Sequence, residues 1–363
     1  MKSNYKQLGQ FIRQVDVRNS EGKEENLLGV SVQKKFIPSI ANTVGTDFKK
    51  YKVVKKGQFT YIPDTSRRGD KIGIALLEDD EEGLVSNVYT VFEIIDEKQL
   101  IPEYLMLWFS RPEFDRYARF KSHGSVREVM DWDEMCKVEL PVPPYEKQKE
   151  IVDGYKAITE RIALKQKINE NLTDQAQAIY QQHFVTKANP DWPLGHLSDL
   201  INVKYGKDHK KLADGAYPVY GSGGIMRYVE HPLYEKESVL IPRKGTLNNV
   251  MYVNQPFWSV DTMFYTEMKQ ANVAKFVYHY VKSKDLASMN AGSAVPSMTT
   301  AILNAMELRI PSEEALFQFE NSVAPMYEMI KKNEDQSRKL AQLRDVLLSK
   351  LMSGEIDVSN LDL

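Results

Sequence analysis

The chain of 363 residues holds one cysteine, Cys136. A single thiol excludes an internal disulfide and any zinc site built on several cysteines, and it fits a reducing compartment. The six histidines (His123, His183, His196, His209, His231 and His279) show neither HxxxH nor HExxH spacing, so no metal centre is expected. There is no GxxxxGK[ST] loop to cradle a nucleotide phosphate. No apolar run reaches the roughly 18–20 residues needed to span a bilayer. Residues 1–10 (MKSNYKQLGQ) lack the apolar segment of a signal peptide, so a cytoplasmic protein is expected. An excess of either charge is also missing. Lys and Arg number 48 against 50 Asp and Glu, and the balance is −1 over 1–143, 0 over 144–185, +3 over 186–305 and −4 over 306–363. Global charge therefore neither indicates nor excludes a nucleic-acid partner.

What the chain does have is length, an ordinary apolar share and an internal repeat. With 42% apolar residues, 19 Tyr and 14 Phe, it has material for two or three folded domains rather than a disordered chain. Residues 138–143 (VELPVP) match residues 306–311 (MELRIP) at an offset of 168. The same offset carries Ile151 to Phe319, Ile162 to Ile330, Leu172 to Leu340 and Ile179 to Leu347 without a gap. It also carries Gly124-Ser125 to Gly292-Ser293 and Met130 to Met298. Further upstream the offset drifts, with Leu8-Gly9 set against Leu194-Gly195 and Ile62-Pro63 against Ile241-Pro242. A period of half the chain is too long for a solenoid and means two copies of one fold.

Each copy has two parts. The first is rich in Gly, Pro and aromatics, with short apolar runs such as 59–63 (FTYIP), 85–95 (VSNVYTVFEII), 238–242 (SVLIP) and 249–253 (NVMYV). These predict short strands, followed by a helix over 102–120 in copy one and 273–289 in copy two. The second part is a long helix. Its apolar residues step by four and three: Ile151, Tyr155, Ile158, Ile162, Leu172 and Ile179 in copy one. Copy two has Phe319, Val323, Met326, Ile330, Leu340 and Leu347. This is a coiled-coil seam, and Lys165, Asn169, Asn333, Ser337 and Arg344 interrupt it with polar groups that fix register. Pro143-Pro144 opens the first helix and Gly354 is expected to stop the second.

The expected fold class is therefore α+β, with two pseudo-symmetric globular modules (1–143 and 186–311) separated by two long helical segments (144–185 and 312–363). The helices are expected to pair as an antiparallel coiled coil. A helix over 146–184 would run about 58 Å at ~1.5 Å per residue. That matches about 17 base pairs at ~3.4 Å each, and suits a spacer between two short DNA half-sites; the plain alternative is that the helices only dimerise the protein.

The run Leu140-Pro141-Val142-Pro143-Pro144-Tyr145-Glu146-Lys147-Gln148-Lys149-Glu150-Ile151-Val152 joins a module to its helix. The helix ends in Gln181-Gln182-His183-Phe184, and Trp192-Pro193-Leu194-Gly195 opens the next module. This arrangement, repeated over essentially the whole chain, resembles the specificity subunits of type I restriction–modification enzymes. Copy two departs from it: Arg309-Ile310-Pro311-Ser312-Glu313-Glu314-Ala315-Leu316-Phe317 keeps the first proline and loses both the second and the Gln. The resemblance implies that each globular module is a target recognition domain reading one half of a split DNA site. It also implies two methyltransferase subunits held against the helices and, in a complete system, restriction–translocase subunits. S-adenosylmethionine would then sit on the methyltransferase, ATP and magnesium on the restriction subunit, and no cofactor on this chain.

Chemistry owned by the chain itself finds little support. Val142-Pro143-Pro144-Tyr145 looks like an amino-methyltransferase motif, but Val142 lacks the side-chain oxygen that holds the target amine. Tyr220-Gly221-Ser222-Gly223-Gly224 lacks the strand–turn–helix context of a nucleotide turn. Pro63-Asp64 with Asp96-Glu97-Lys98 formally fits a metal nuclease, yet copy two has Arg243 after its proline.

DNA readers need cations for phosphates and forked polar groups for base edges. Copy one offers Arg67, Arg68 and Lys71 after an expected strand, then Lys121, Ser125 and Arg127 around Gly124. Copy two offers Arg243, Lys244, Thr246, Asn248 and Asn249 after its Ile-Pro, with Tyr220, Ser222 and Ser293 completing the set. For each residue the plain alternative is a solvated loop. The stretch 49–56 (KKYKVVKK) is more basic but reads as a guarded strand edge, and 78–82 (EDDEE) reads as an exposed turn. The competing readings of the whole are a coiled-coil scaffold without DNA and, further off, a metal-dependent nuclease.

Overall fold

A computed structural model describes residues 5–40, 43, 45–64, 71–122, 128–289 and 297–353, with side chains up to residue 346. The chain forms two compact units, Met1–Leu164 with Gln336–Leu363, and Lys165–Asp335.

In unit one the order is β1 (Tyr5–Gln7), β2 (Ile12–Val15), β3 (Leu27–Val30), β4 (Phe36–Pro38), β5 (Lys52–Lys55), β6 (Phe59–Tyr61), β7 (Ile74–Leu76), β8 (Glu82–Val85), β9 (Thr90–Ile94), α1 (Pro102–Phe109), α2 (Pro112–Lys121), α3 (Trp132–Cys136) and β10 (Glu139–Pro141). A four-stranded sheet runs β2-β9-β6-β7, a second runs β4-β3-β8-β5, and β1 pairs with β10. Strands β6 and β7 are buried at every residue, the polar Thr60 included. Their core is aromatic. Phe59 stacks on Phe92 at 4.9 Å, and Phe109 from α1 meets Phe59 edge-on at 5.9 Å.

Helix α4 (Tyr145–Gln181) follows, ending in one π turn over Gln182–Thr186. Unit two then runs β11 (Leu194–His196), α5 (Leu197–Leu200), β12 (Ile201–Tyr205), β13 (Tyr217–Gly221), β14 (Gly224–Val229), β15 (Ser238–Pro242), β16 (Met251–Val253), β17 (Trp258–Ser259), β18 (Met263–Met268), α6 (Ala274–Lys282), α7 (Thr300–Asn304) and β19 (Glu307–Arg309). Helix α8 (Glu313–Ser353) closes the described chain. The sheets run β12-β18-β15-β16 and β14-β13-β17, and β11 pairs with β19.

The duplication holds strand for strand. The sheet β2-β9-β6-β7 has the order of β12-β18-β15-β16. In the second sheet the hairpin β3–β4 corresponds to β13–β14, and the parallel pair β3–β8 to β13–β17, with β5 extra in copy one. The register corrects two of the sequence alignments. Leu8 N donates to Val138 O as Leu197 N donates to Met306 O, so Leu197, not Leu194, corresponds to Leu8. The physical reason is burial, since Leu8 and Leu197 are both enclosed while Leu194 is exposed. Likewise Met130 N donates to Pro63 O and Met298 N to Arg243 O, and the bridges Asp64–Val129 and Lys244–Ser297 agree. Pro63 therefore corresponds to Arg243, one residue beyond the Ile-Pro match.

Two expected helices also change. The helix over 102–120 is two, because Pro112 forces Arg111 into an extended conformation and separates α1 from α2. The helix over 273–289 ends at Lys282; Ser283 caps it and Asp285 gathers Ser288 into a turn. The basic stretch 49–56 includes β5, which is an edge strand as its lysines suggested. Gly354 lies outside the described residues.

In unit one Tyr155 and Ile162 of α4 and Leu340 of α8 pack against the core in which Ile151 and Ile158 are buried. In unit two Tyr180 of α4 meets Phe319 of α8 edge-on at 6.2 Å, and Val323 is buried with Ile179 and Met326 against the same core. Leu172 and Ile330 are half-buried, and the Leu347 side chain lies outside the described set. The polar seam residues meet each other. Asn333 is buried, donates to Asn169 at 2.8 Å and accepts from Lys165 at 3.3 Å. Partners fall along α8 as they rise along α4, so the helices are antiparallel.

Polar joints seat each module on its helix. In unit one the fully buried Gln148 accepts from Ile101 N at 2.9 Å and donates to Gln99 O and Pro143 O at 2.8 Å each. In unit two Leu316, its counterpart by the 168 offset, is simply apolar and buried. There the joint is His279 of α6. Its Nδ1 lies 2.7 Å from Gln177 Oε1, and its Nε2 lies 2.8 Å from the Tyr327 hydroxyl. An amide oxygen only accepts, so Nδ1 carries the proton and Nε2 accepts. Burial, with Lys282 adding repulsion, lowers the His279 pKa from 6.5 to about 3. The unfolded state thus binds the extra proton first, and stability present above pH 6.5 is lost as pH falls toward 3. Urea unfolding at stepped pH should show wild type losing stability between pH 6.5 and 4. The slope should exceed that of His279→Gln by up to about 1.4 kcal/mol per pH unit.

Candidate nucleic-acid interface

The clusters of interest follow β6 and β15, the matching central strands of the two main sheets. In unit two, four segments converge beyond β15. The hairpin β13–β14 turns through Ser222-Gly223, with Gly224 at φ +112. The turn 243–249 after β15 includes Gly245 at φ +85, a left-handed conformation that favours glycine. Asn249 Nδ2 donates to Ser222 O at 2.8 Å and ties that turn to the hairpin. Asn248 Nδ2 donates to Asp285 Oδ1 at 3.0 Å while its Oδ1 accepts from Ala287 N, which brings in the turn after α6. Lys244 bridges to Ser297.

The structure therefore gathers Tyr220, Ser222, Arg243, Lys244, Thr246, Asn248 and Asn249, as the sequence suggested, but gives them different tasks. The Asn248 and Asn249 side chains are engaged in holding the loops. The Tyr220 hydroxyl accepts from Gln255 Nε2 at 3.2 Å and its ring packs on Phe257, so it too is partly structural. Lys244 and Thr246 are exposed. Arg243 has its guanidinium over the ring of Tyr205 at 5.4 Å and donates one N–H to Asp261 O at 3.1 Å. Tyr205 is about half exposed and was missed in the sequence, because nothing there marks the end of β12 as a neighbour of the turn after β15.

In unit one Arg67, Arg68, Ser125 and Arg127 lie outside the described residues, as does Ser293 of copy two. Lys71 is exposed. Lys121, in the last turn of α2, lies 3.9 Å from Glu134 and beside the exposed ring of Phe120. The unforeseen feature is Lys34, in the turn of the β3–β4 hairpin at φ +62. Its ammonium pairs with Asp115 of α2 at 2.6 Å, and both side chains are under 10% exposed. Asp115 also accepts from Ile72 N at 3.2 Å, so one carboxylate fixes both the hairpin and the start of the β7 segment. Burial pushes the Lys34 pKa down, against the opposing pull of Asp115. Both copies thus anchor the same hairpin, copy one by a buried ion pair and copy two by a neutral amide.

Residues weighed for chemistry have structural roles. Asp96 accepts from Lys98 N and Gln99 Nε2 in a surface turn. The segment 220–224 is a hairpin turn between two antiparallel strands. Among the described residues no group of three His, Cys, Asp or Glu side chains is placed to hold a metal ion. Among them, too, no helix is long and apolar enough to cross a membrane.

Two sheet modules of one design, each followed by a long helix, define a class of duplicated recognition protein. The family model described as the type I restriction modification DNA specificity domain matches residues 9–174 and 189–322, once for each copy. The chain belongs to this family, and its role is DNA sequence specificity. It is 23% identical to the type I restriction enzyme MjaIX specificity subunit of Methanocaldococcus jannaschii, over 74% of this chain and 72% of that one. It is 20% identical to the type I restriction enzyme HindI specificity subunit of Haemophilus influenzae, over 84% and 88% of the two chains. In fold it is similar to the crystal structure of a type I restriction–modification S subunit from M. genitalium. There the TM-score is 0.60 at 15% identity, covering 98% of this chain and 96% of that chain.

The buried anchor of copy one gives a direct test. Asp115→Asn leaves the Lys34 ammonium enclosed without its counter-charge, and should lower stability by about 3–5 kcal/mol in denaturant titrations. Replacing both partners by apolar residues (Lys34→Met with Asp115→Leu) should recover more than half of that deficit.

Proposed function

We propose that this chain reads a split DNA site, one half with each copy, and positions adenine methyltransferase subunits over it while catalysing nothing itself. The observation that carries the reading is the strand-for-strand duplication, with a polar turn cluster after the central strand β15 of copy two. Two modules of one fold that differ in their loops suit two different half-sites of one duplex. The paired helices suit a seat for two methyltransferase subunits, with restriction subunits joining in a complete system. On this reading S-adenosylmethionine belongs to the methyltransferase, ATP and magnesium belong to the restriction subunit, and the assembly works in the cytoplasm. The relatives named above are specificity subunits, which supports the assignment of catalysis to partners.

Deleting the gene and sequencing the methylated bases of its host should remove one bipartite adenine-methylated motif; if every motif persists, the reading is wrong. Charge reversal at Arg67, Arg68, Arg243 and Lys244 should weaken DNA binding by the assembled complex at least about tenfold. The salt dependence of binding should become shallower as well, because fewer cations neutralise phosphates. A scaffold without a DNA role would leave binding intact. Exchanging residues 1–143 for those of a relative should change one half-site only, and lengthening the helices should widen the unread gap.

A further inference from the structure

Arg243 and its seat on Tyr205 carry an inference that rests on the reading above and deepens it. The guanidinium carbon lies 5.4 Å over the Tyr205 ring, and one N–H donates to Asp261 O. Its backbone is pinned on both sides, Arg243 N donating to Thr262 O and Arg243 O accepting from Met298 N, each at 2.9 Å. A planar fork held over an aromatic ring and fixed at its root is preorganised for bidentate hydrogen bonding. Two DNA groups take such a fork, a phosphate and the O6/N7 edge of guanine in the major groove.

The internal duplication favours guanine. A phosphate backbone presents the same chemistry in both half-sites, so residues that grip it serve equally in both copies. The position of Arg243 in copy one is held by Pro63, which has no side-chain donor, and the next position changes from Lys244 to Asp64. A fork present in one copy and absent from its counterpart belongs to what differs between the half-sites, and that is base sequence. We propose that Arg243 is a specificity-determining residue of copy two, that it reads a guanine in that half-site, and that Tyr205 is its positioning residue.

The test uses the full chain assembled with its methyltransferase subunits, with methylation measured on duplexes varied one base pair at a time. Wild type should require a G·C pair at one position of one half-site. Arg243→Ala should lower discrimination at that position alone by about 5- to 150-fold. Arg243→Gln should move the preference toward adenine, whose N6/N7 edge an amide matches. Tyr205→Ala should relax the same position less, while Tyr205→Phe, which keeps the ring, should behave as wild type. The other half-site should be untouched throughout, and thermal melting of each complex confirms folding. If Arg243→Ala and Arg243→Gln weaken all sequences equally, the arginine grips phosphate and the inference falls. It also falls if neither variant changes anything. A wild-type complex that methylates no bipartite site would overturn the underlying reading instead, before any variant is compared.

Discussion

Gln148 is fully buried, and its three hydrogen bonds join the turn before α1, the end of the β10 segment and the first turn of α4. A buried amide with every bond made is tolerated only in one geometry, because each broken bond leaves an unpaired polar group in the interior. The angle between a recognition module and its helix in unit one is therefore set by chemistry rather than by apolar packing alone. In unit two the same duty falls to His279 between Gln177 and Tyr327, and to the buried Lys275 paired with Glu320. Apolar surfaces slide at little cost; these joints do not. Loops that must meet base edges to within a fraction of an ångström need such a mount.

The two copies share a framework and differ in how they brace it. Copy one ties its β3–β4 hairpin through an enclosed ammonium–carboxylate pair, and copy two ties the equivalent β13–β14 hairpin through Asn249. The charged brace is the more brittle, since losing either partner strands the other. The neutral one leaves the surrounding loop freer to change, and that loop includes Arg243, Lys244 and Thr246. The helix seam follows a similar logic. Lys165 and Asn333 occupy matching places in the two copies and touch each other, so a polar pair marks the register where the repeat meets itself.

Much of this was legible in the residues. The 168 offset gave the duplication because helix heptads and the strand–proline junction keep their spacing when loops vary. The seam residues followed from the alternation of four and three. Legibility failed where tertiary packing overrides local pattern. Leu194 looked like the partner of Leu8 by type, yet burial selected Leu197 three residues on. Phe109 and Phe114 fall within one expected helix over 102–120, and the backbone restriction before Pro112 divides it. At the candidate interface the sequence found the turn after β15 but not the ring beneath Arg243, since β12 and β15 are not even adjacent strands. It also missed Asp115, a single carboxylate in a charged helix, whose role depends on Lys34 some eighty residues earlier. Side chains that hold loops in place carry no periodic signal.

The composition of unit one bears on how the chain is made. Residues 165–335 form an unbroken stretch, whereas the first unit draws on both Met1–Leu164 and Gln336–Leu363. A ribosome working from the amino end delivers the second unit as one stretch, but it leaves the first lacking its closing helical strip until the residues from 336 onward emerge. For that interval the unit-one core lacks the Leu340 that packs against it. Nascent chains in that state are the ones that attract chaperones or stick to one another. Removing the strip from Gln336 onward should thus injure the first-made unit rather than the second.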